Sequence, residues 1–354
     1  MDIIELARTP KSPVPGTAKG KVYKGFWTAR HITQLAFAAL NVWLGIEFWW
    51  FVRALEMGGD GPLTSRPAGV EAWLPISGLM GVIDWFARGQ LNLIHPASAI
   101  LVLCFIAMAF LARKAFCAWV CPVGTLSEGL ALLGRKLFKR NFLLPRWLDY
   151  PLMSLKYILL GLFLSAFVMM GTRGMAGFMN SPYNQLADVK MLLFFVEIGV
   201  LGLVVLAVLM IGSIFVEGFW CRYWCPYGAM LGLFSWASPL KIRRNTETCI
   251  DCDRCTKACP SRLPVAAKLR IISPECTGCL RCETACPIKE CITLGPTPQT
   301  KVNARQLALI VAGVFLVFVL TAKLTGVWDS TIRDEEYRYH FERRDNAEYG
   351  HPGQ

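Results

Sequence analysis

Residues 249–287 read CIDCDRCTKACPSRLPVAAKLRIISPECTGCLRCETACP, which is the unit C-x2-C-x2-C-x3-C-P written twice. Three thiolates two residues apart wrap a cubane in a tight loop, and the proline turns the chain so that the fourth points to a neighbouring cluster. In the bacterial arrangement the fourth cysteine of each run serves the other cluster. That rule groups Cys249, Cys252, Cys255 and Cys286 on one [4Fe–4S] cluster and Cys276, Cys279, Cys282 and Cys259 on a second. Zinc suits isolated CxxC pairs, but duplication of the whole unit disfavours it. The segment from Cys249 to Cys291 carries seven Lys/Arg against five Asp/Glu, and positive charge beside an anionic cluster raises its potential.

Upstream, CAWVCPVG (117–124) and CRYWCPYG (221–228) are offset by 104 residues, an internal repeat. If helical, Cys117 with Cys121 and Cys221 with Cys225 each lie on one face, and Pro with Gly ends the helix. A pseudo-twofold arrangement would gather four thiols as a third metal site, a third cluster or a redox-active dithiol. The plain alternative is inert cysteine at a helix end. Cys104 reads as a core residue, and Cys291 receives no role.

The chain of 354 residues is 54% hydrophobic and 18% charged, with mean hydropathy +0.42. This is too apolar for two soluble domains. Five windows approach the roughly 20 apolar residues needed to cross a bilayer: Ile32–Val52, Leu93–Ala112, Leu152–Met170, Met191–Val216 and Leu307–Ala322. Trp73–Phe86, broken by Pro75 and two glycines, reads as an interfacial or re-entrant piece or a buried extramembrane helix. The expected fold is a membrane all-α bundle of about five transmembrane helices with a small α+β ferredoxin module of the bacterial two-cluster type. Lys/Arg number six before the first window and eight over Arg113–Lys156, but three and two on the opposite connections. The positive-inside rule then places the cysteine-rich segment in the cytoplasm and the acidic C-terminus outside a bacterial inner membrane. The layout expected is a basic cytoplasmic segment (1–31), four transmembrane helices (32–217), the ferredoxin module (218–304), a fifth helix (305–323) and a periplasmic tail (324–354), too short to fold alone. The +12 charge suits anionic lipid, and no nucleic-acid motif is present.

Quinol oxidation also releases protons. Glu47, His95 and Glu197 fall near the outer ends of their windows as proton acceptors, with interfacial snorkelling the alternative. Trp119, Trp220, Tyr223 and Trp224 could line a quinone pocket near the CxxxCP motifs or form an interface belt. His31 and His95 sit at opposite depths, which excludes paired haem ligation, and CxxCH is absent.

Two CxxxCP motifs closing apolar helices, followed by a double C-x2-C-x2-C-x3-C-P run, resemble the NapH/NosR/CcoG group of membrane polyferredoxins over about Leu93–Leu294. The resemblance implies an inner-membrane electron carrier between the quinol pool or a soluble donor and redox partners in membrane, cytoplasm or periplasm. It also admits a copper reductase serving oxidase assembly, while a redox sensor is a third expectation.

Overall fold

The computed structural model describes residues 28–58 and 65–350. The basic run up to residue 27 lies outside the described residues. Helix α1 (Ala29–Met57) opens the bundle. After a 3-10 turn, α2 (Pro75–Arg88) carries Pro75 at its first position, where a missing N–H costs nothing. The proline expected to break this stretch therefore starts it. Helix α3 (Pro96–Ala112) is the most buried. Next come α4 (Pro122–Phe138), α5 (Arg146–Met179), the single turn α6 (Pro182–Gln185), α7 (Ala187–Val196), α8 (Val200–Phe215) and α9 (Pro226–Trp236).

The ferredoxin module follows as β1 (Lys241–Arg244), α10 (Arg254–Lys257), β2 (Arg270–Ile271), α11 (Arg281–Ala285) and β3 (Ile292–Gly295). Its antiparallel sheet has the order β2-β1-β3, with Ile242 opposite Ile271 and Leu294. The chain ends with α12 (Ala304–Leu324) and α13 (Asp334–Glu342).

Three described helices, α1, α5 and α12, are long and apolar enough to cross a membrane; α7 and α8 make a fourth only if their pair counts as one span. That pair bends by 80° at Glu197–Gly199, and α3 has only 17 residues. The five straight crossings expected are not reproduced, because hydropathy is blind to a change of direction. Outward faces of α5, α8 and α12 expose Leu162, Val168, Val204, Val208, Val317 and Leu320, the surface a lipid tail accepts.

One continuous core runs from Ala109, Ala112 and Trp119 through Leu231 into Ile242, Val265, Ile271 and Leu294. The ferredoxin module thus shares its interior with the bundle. A second core holds the tail: Tyr337, Phe341 and Tyr349 pack with Phe48, Phe51, Leu55 and Val189, each such burial contributing on the order of 2 kcal/mol. Ser330 and Thr331 also tie back to the carbonyls of Ile94 and Leu93. The tail is therefore a cap on this end of the bundle.

The internal repeat is visible as α3–α4 and α8–α9, and its halves meet where Gly134 of α4 touches α8. A Cβ there would stand 1.9 Å from the Ile214 carbonyl oxygen. Gly134→Ala is expected to lower the unfolding free energy in detergent by about 1–3 kcal/mol. Gly129→Ala on the same helix, with open space around its Cβ, should hold or raise it.

Candidate iron-sulfur centres

Both ferredoxin runs have the same backbone. Asp251 and Asp253 of the first occupy left-handed φ, as do Gly278 and Leu280 of the second; each pair is shifted by 27 residues, like Cys249 and Cys276. Asp253 and Leu280 then begin α10 and α11. These tight reversals let three successive thiols converge.

Cys249, Cys252, Cys255 and Cys286 line one cavity, while Cys259, Cys276, Cys279 and Cys282 line another. Each contains one cysteine from the opposite run, as the spacing demands. The donor sets fit four-thiolate cubanes. Cys252 is exposed, whereas Cys255, Cys276 and Cys282 are buried. Cys291, left without a role by its spacing, lies buried in the wall of the first cavity, and its thiol reaches the Asn245 carbonyl. The Arg244 guanidinium approaches Cys249 Sγ at 3.4 Å.

The CxxxCP segments are single π turns, Phe116–Val120 and Trp220–Trp224, rather than the α-helical ends expected. Cys121 N donates to Phe116 O at 2.9 Å and Cys225 N to Trp220 O at 3.1 Å. Pro122 has no N–H for the carbonyl four residues back, so Ala118 O instead accepts from Gln34 Nε2 at 3.0 Å. Such π turns recur at functional sites.

The cysteine before each proline stands at the N-cap of the following helix. Cys225 Sγ accepts from Gly228 N at 3.2 Å, and the Cys121 thiol is met by the Gly124 and Val123 amides. Gly124 is obligatory, since a Cβ there would lie 2.2 Å from the Cys117 carbonyl oxygen.

The repeat brings the four thiols together. All six pairs among Cys117, Cys121, Cys221 and Cys225 interact electrostatically. Burial pushes the Cys117 thiol up to about 12 and Cys121 to about 11. Among the described residues no three Cys, His, Asp or Glu side chains stand close enough to grip a single metal ion. The two ferredoxin sets share this wider spacing.

Charged residues seat the second ferredoxin run on the repeat. Glu275 accepts from Lys156 Nζ and Tyr157 Oη, each at 2.6 Å, and lies 3.5 Å from Lys114 Nζ. Burial raises the Glu275 carboxyl, but the two lysines and Tyr157 outweigh it and hold it down at about 2. Burial lowers the Lys114 ammonium, but Glu275 and the CxxxCP thiols prevail, and it ends above its usual range. Arg113, fully buried, donates to the carbonyls of Ser235 and Ser273. Trp119 Nε1 donates to Gly278 O at 3.1 Å. Arg222 grips Asp149 and reaches Ser261 O, and Glu217 pairs with Arg281. Positions 113 and 217, offset by the repeat length, thus both hold the same ferredoxin segment. One cleft is lined jointly by Cys117, Cys221 and Cys279.

The four aromatic residues considered for a quinone pocket lie in different settings, with Trp220 half-buried. Trp119 is buried in the docking contact, Tyr223 donates to Asp149 and Trp224 is exposed.

The expected proton acceptors do not share one network. Glu197 is exposed at the α7–α8 break and Glu47 is half-buried on α1. His95 is buried beside Glu71 and the Asn184 carbonyl. Arg66 joins Glu71 at 2.9 Å to Asp188 at 2.6 Å, and Tyr337 donates to Asp188. Glu71 and Asp188 were missed by the sequence reading; their signal was a carboxylate among apolar residues.

A family described as "4Fe-4S binding domain" matches residues 94–141 and again 198–245, and a "4Fe-4S dicluster domain" matches 241–287. The "Putative electron transport protein YccM" of Escherichia coli K12 is 43% identical over 344 residues, 94% of this chain and 96% of that one. The chain belongs to the NapH/NosR-type polyferredoxins. "Ferredoxin-type protein NapH" of Haemophilus influenzae is 30% identical over 48% of the chain and 56% of its own length. "Regulatory protein NosR" of Pseudomonas aeruginosa is 25% identical over 66% of the chain and 37% of its own length. No solved structure matches. The polyferredoxin therefore carries iron–sulfur-binding domains on a largely helical frame with membrane-competent helices, and it belongs to an electron-transport family.

The start of α1 is tied to the first repeat by Glu128, which accepts from Arg30 at 2.6 Å and from Gln34 at 3.1 Å. Burial raises its carboxyl, but Arg30 prevails and holds it at about 2, against an ordinary 4.5. A depressed carboxylate stabilises the fold fully above its unfolded value and loses that contribution as pH falls through the folded one. Wild type should therefore lose stability between about pH 4.5 and 2 more steeply than Glu128→Gln, as read by unfolding midpoints across that range.

Proposed function

We propose that this polyferredoxin is a membrane-embedded one-electron relay of the bacterial inner membrane. The observation that carries this reading is the alignment of its thiol sets: a first ferredoxin set reaching the surface at Cys252, a second set with Cys276 and Cys282 buried, and Cys279 of that second set sharing a cleft with Cys117 and Cys221. In this reading Cys249, Cys252, Cys255 and Cys286 hold one [4Fe–4S] cluster, and Cys276, Cys279, Cys282 and Cys259 hold the second. When bound, each cluster supplies a site that gains or loses one electron.

The chain's own residues do the rest. The left-handed turns at Asp253 and Leu280 set the thiols. Trp119 and Arg113 clamp the second run to the bundle and keep water from it, and the basic surroundings favour the reduced, more negative state of the clusters. Cys252 offers the contact point for a soluble redox partner. The basic connections, by the positive-inside rule, put the ferredoxin module in the cytoplasm and the α13 cap in the periplasm, with α1, α5 and α12 among lipid. The relatives' names, an electron transport protein and a ferredoxin-type protein, support a carrier role. The quinol pool is the proposed membrane-side partner.

In proteoliposomes, a quinol analogue should bleach the visible absorbance of the anaerobically purified protein. Oxidation by a soluble acceptor should then slow at least tenfold in Cys252→Ser while quinol reduction persists. Absorbance that responds to dithionite but never to quinol would refute the quinol end of the relay.

A further inference from the structure

The two ferredoxin runs are copies, so each serves as a control for the other. A shift of 27 residues carries Cys249 onto Cys276, Arg244 onto Ile271 and Asp251 onto Gly278. Asp251 and Gly278 share a left-handed backbone, with φ of 50° and 62°, so the chain path is alike at both places and the side chains differ. The first run carries an ion pair where the second carries none.

That pair sits on a ligand of the first set. Arg244 Nη1 donates to Asp251 Oδ1 at 2.9 Å and lies 3.4 Å from Cys249 Sγ. Cys249 Sγ is itself 3.6 Å from the same carboxylate oxygen. As a ligand Cys249 is a thiolate, and two anions at that spacing repel unless a cation joins them. Arg244 Nη1 reaches both. The Nε of the same guanidinium is buried and has no acceptor.

The second set has different surroundings. Ile271, the counterpart of Arg244, lines its cavity together with Ile242, Leu263, Val265 and Leu280. The cations nearby are engaged elsewhere: Lys114 faces Glu275, Arg281 pairs with Glu217, and Arg113 donates to the carbonyls of Ser235 and Ser273. Of the eight ferredoxin thiols, Cys252 of the first set is the exposed one. Hydrogen bonds to the sulfurs and contact with solvent favour the more negative, reduced state of a cluster, and an apolar shell disfavours it.

We infer that Arg244 is a positioning residue for the first thiol set, holding the potential of its cluster above that of the second, so that the relay runs outward from the bundle to the surface at Cys252. This rests on the reading of the chain as a one-electron carrier and gives that carrier a direction. The second set's cluster loses the electron that the first set's gains, and no other reactant enters. Asp251 opposes the effect, and Arg244 is what lets that carboxylate stand so close to Cys249.

The test is a potentiometric series on the full-length protein, purified anaerobically in detergent and followed by EPR. The signal changed by Cys252→Ser belongs to the first set, and the signal changed by Cys279→Ser to the second. In the wild type the first midpoint should lie above the second by at least a tenfold difference in reduction equilibrium, about 59 mV for one electron. Arg244→Gln should lower the first midpoint by at least as much and leave the second in place, while Arg244→Lys, which keeps the charge, should recover part of the loss. Asp251→Asn, which suits a left-handed backbone, should raise the first midpoint. A first midpoint at or below the second in the wild type would overturn the outward direction. A first midpoint unmoved in Arg244→Gln, or not raised in Asp251→Asn where Arg244→Gln fails to assemble its cluster, would overturn the part given to Arg244. Failure of the carrier reading looks different: neither cysteine variant would then change any signal.

Discussion

A single buried carboxylate, Glu275, holds the ferredoxin module of the molecule to its helical part. It accepts from Lys156 and Tyr157 of α5 and faces Lys114 beside the first CxxxCP turn, while its own backbone leads directly into Cys276. An unpaired charge at this depth would cost several kcal/mol, so the second ferredoxin run has a strong electrostatic reason to stay where it is. Trp119, Arg113 and the Glu217–Arg281 pair act at the same seam. The hydrophobic core that continues from α3 into the sheet gives the seam its bulk stability.

This seam explains why a ferredoxin motif is written into a chain of apolar helices. A free ferredoxin must diffuse to each partner. Here the second thiol set is fixed against the repeat, and the first set remains at the surface. The repeat is symmetric where it forms its π turns and asymmetric at the docking positions, Arg113 and Lys114 in one half against Glu217 and Gly218 in the other. That difference lets one ferredoxin module recognise both halves.

Much of this was legible in the sequence. Eight cysteines at fixed spacing constrain a cluster-binding loop so tightly that the crossed sets of four follow from counting, and the structure brings those same sets together. The 104-residue offset between the CxxxCP motifs likewise survives as α3–α4 and α8–α9. Other features escaped because spacing and hydropathy carry no direction. Pro75 was read as a breaker and serves as a helix start. The Met191–Val216 window is apolar throughout yet turns by 80°. Lys156 was counted among loop charges, although its place inside the long α5 helix marked it as a buried partner awaiting a carboxylate. Arg113 and Glu275 gave no local signal, since their roles depend on contacts made across more than a hundred residues.

The central claim is that the second ferredoxin run is part of the bundle's cooperative interior. Amide hydrogen exchange over residues 273–282, followed by mass spectrometry in wild type and in Glu275→Gln, tests it most directly. Protection matching that of α3 in the wild type, lost over this segment in the variant while α3 stays protected, is the expected result. Exchange in the wild type as fast as that of the exposed turn at 246–248 would contradict it.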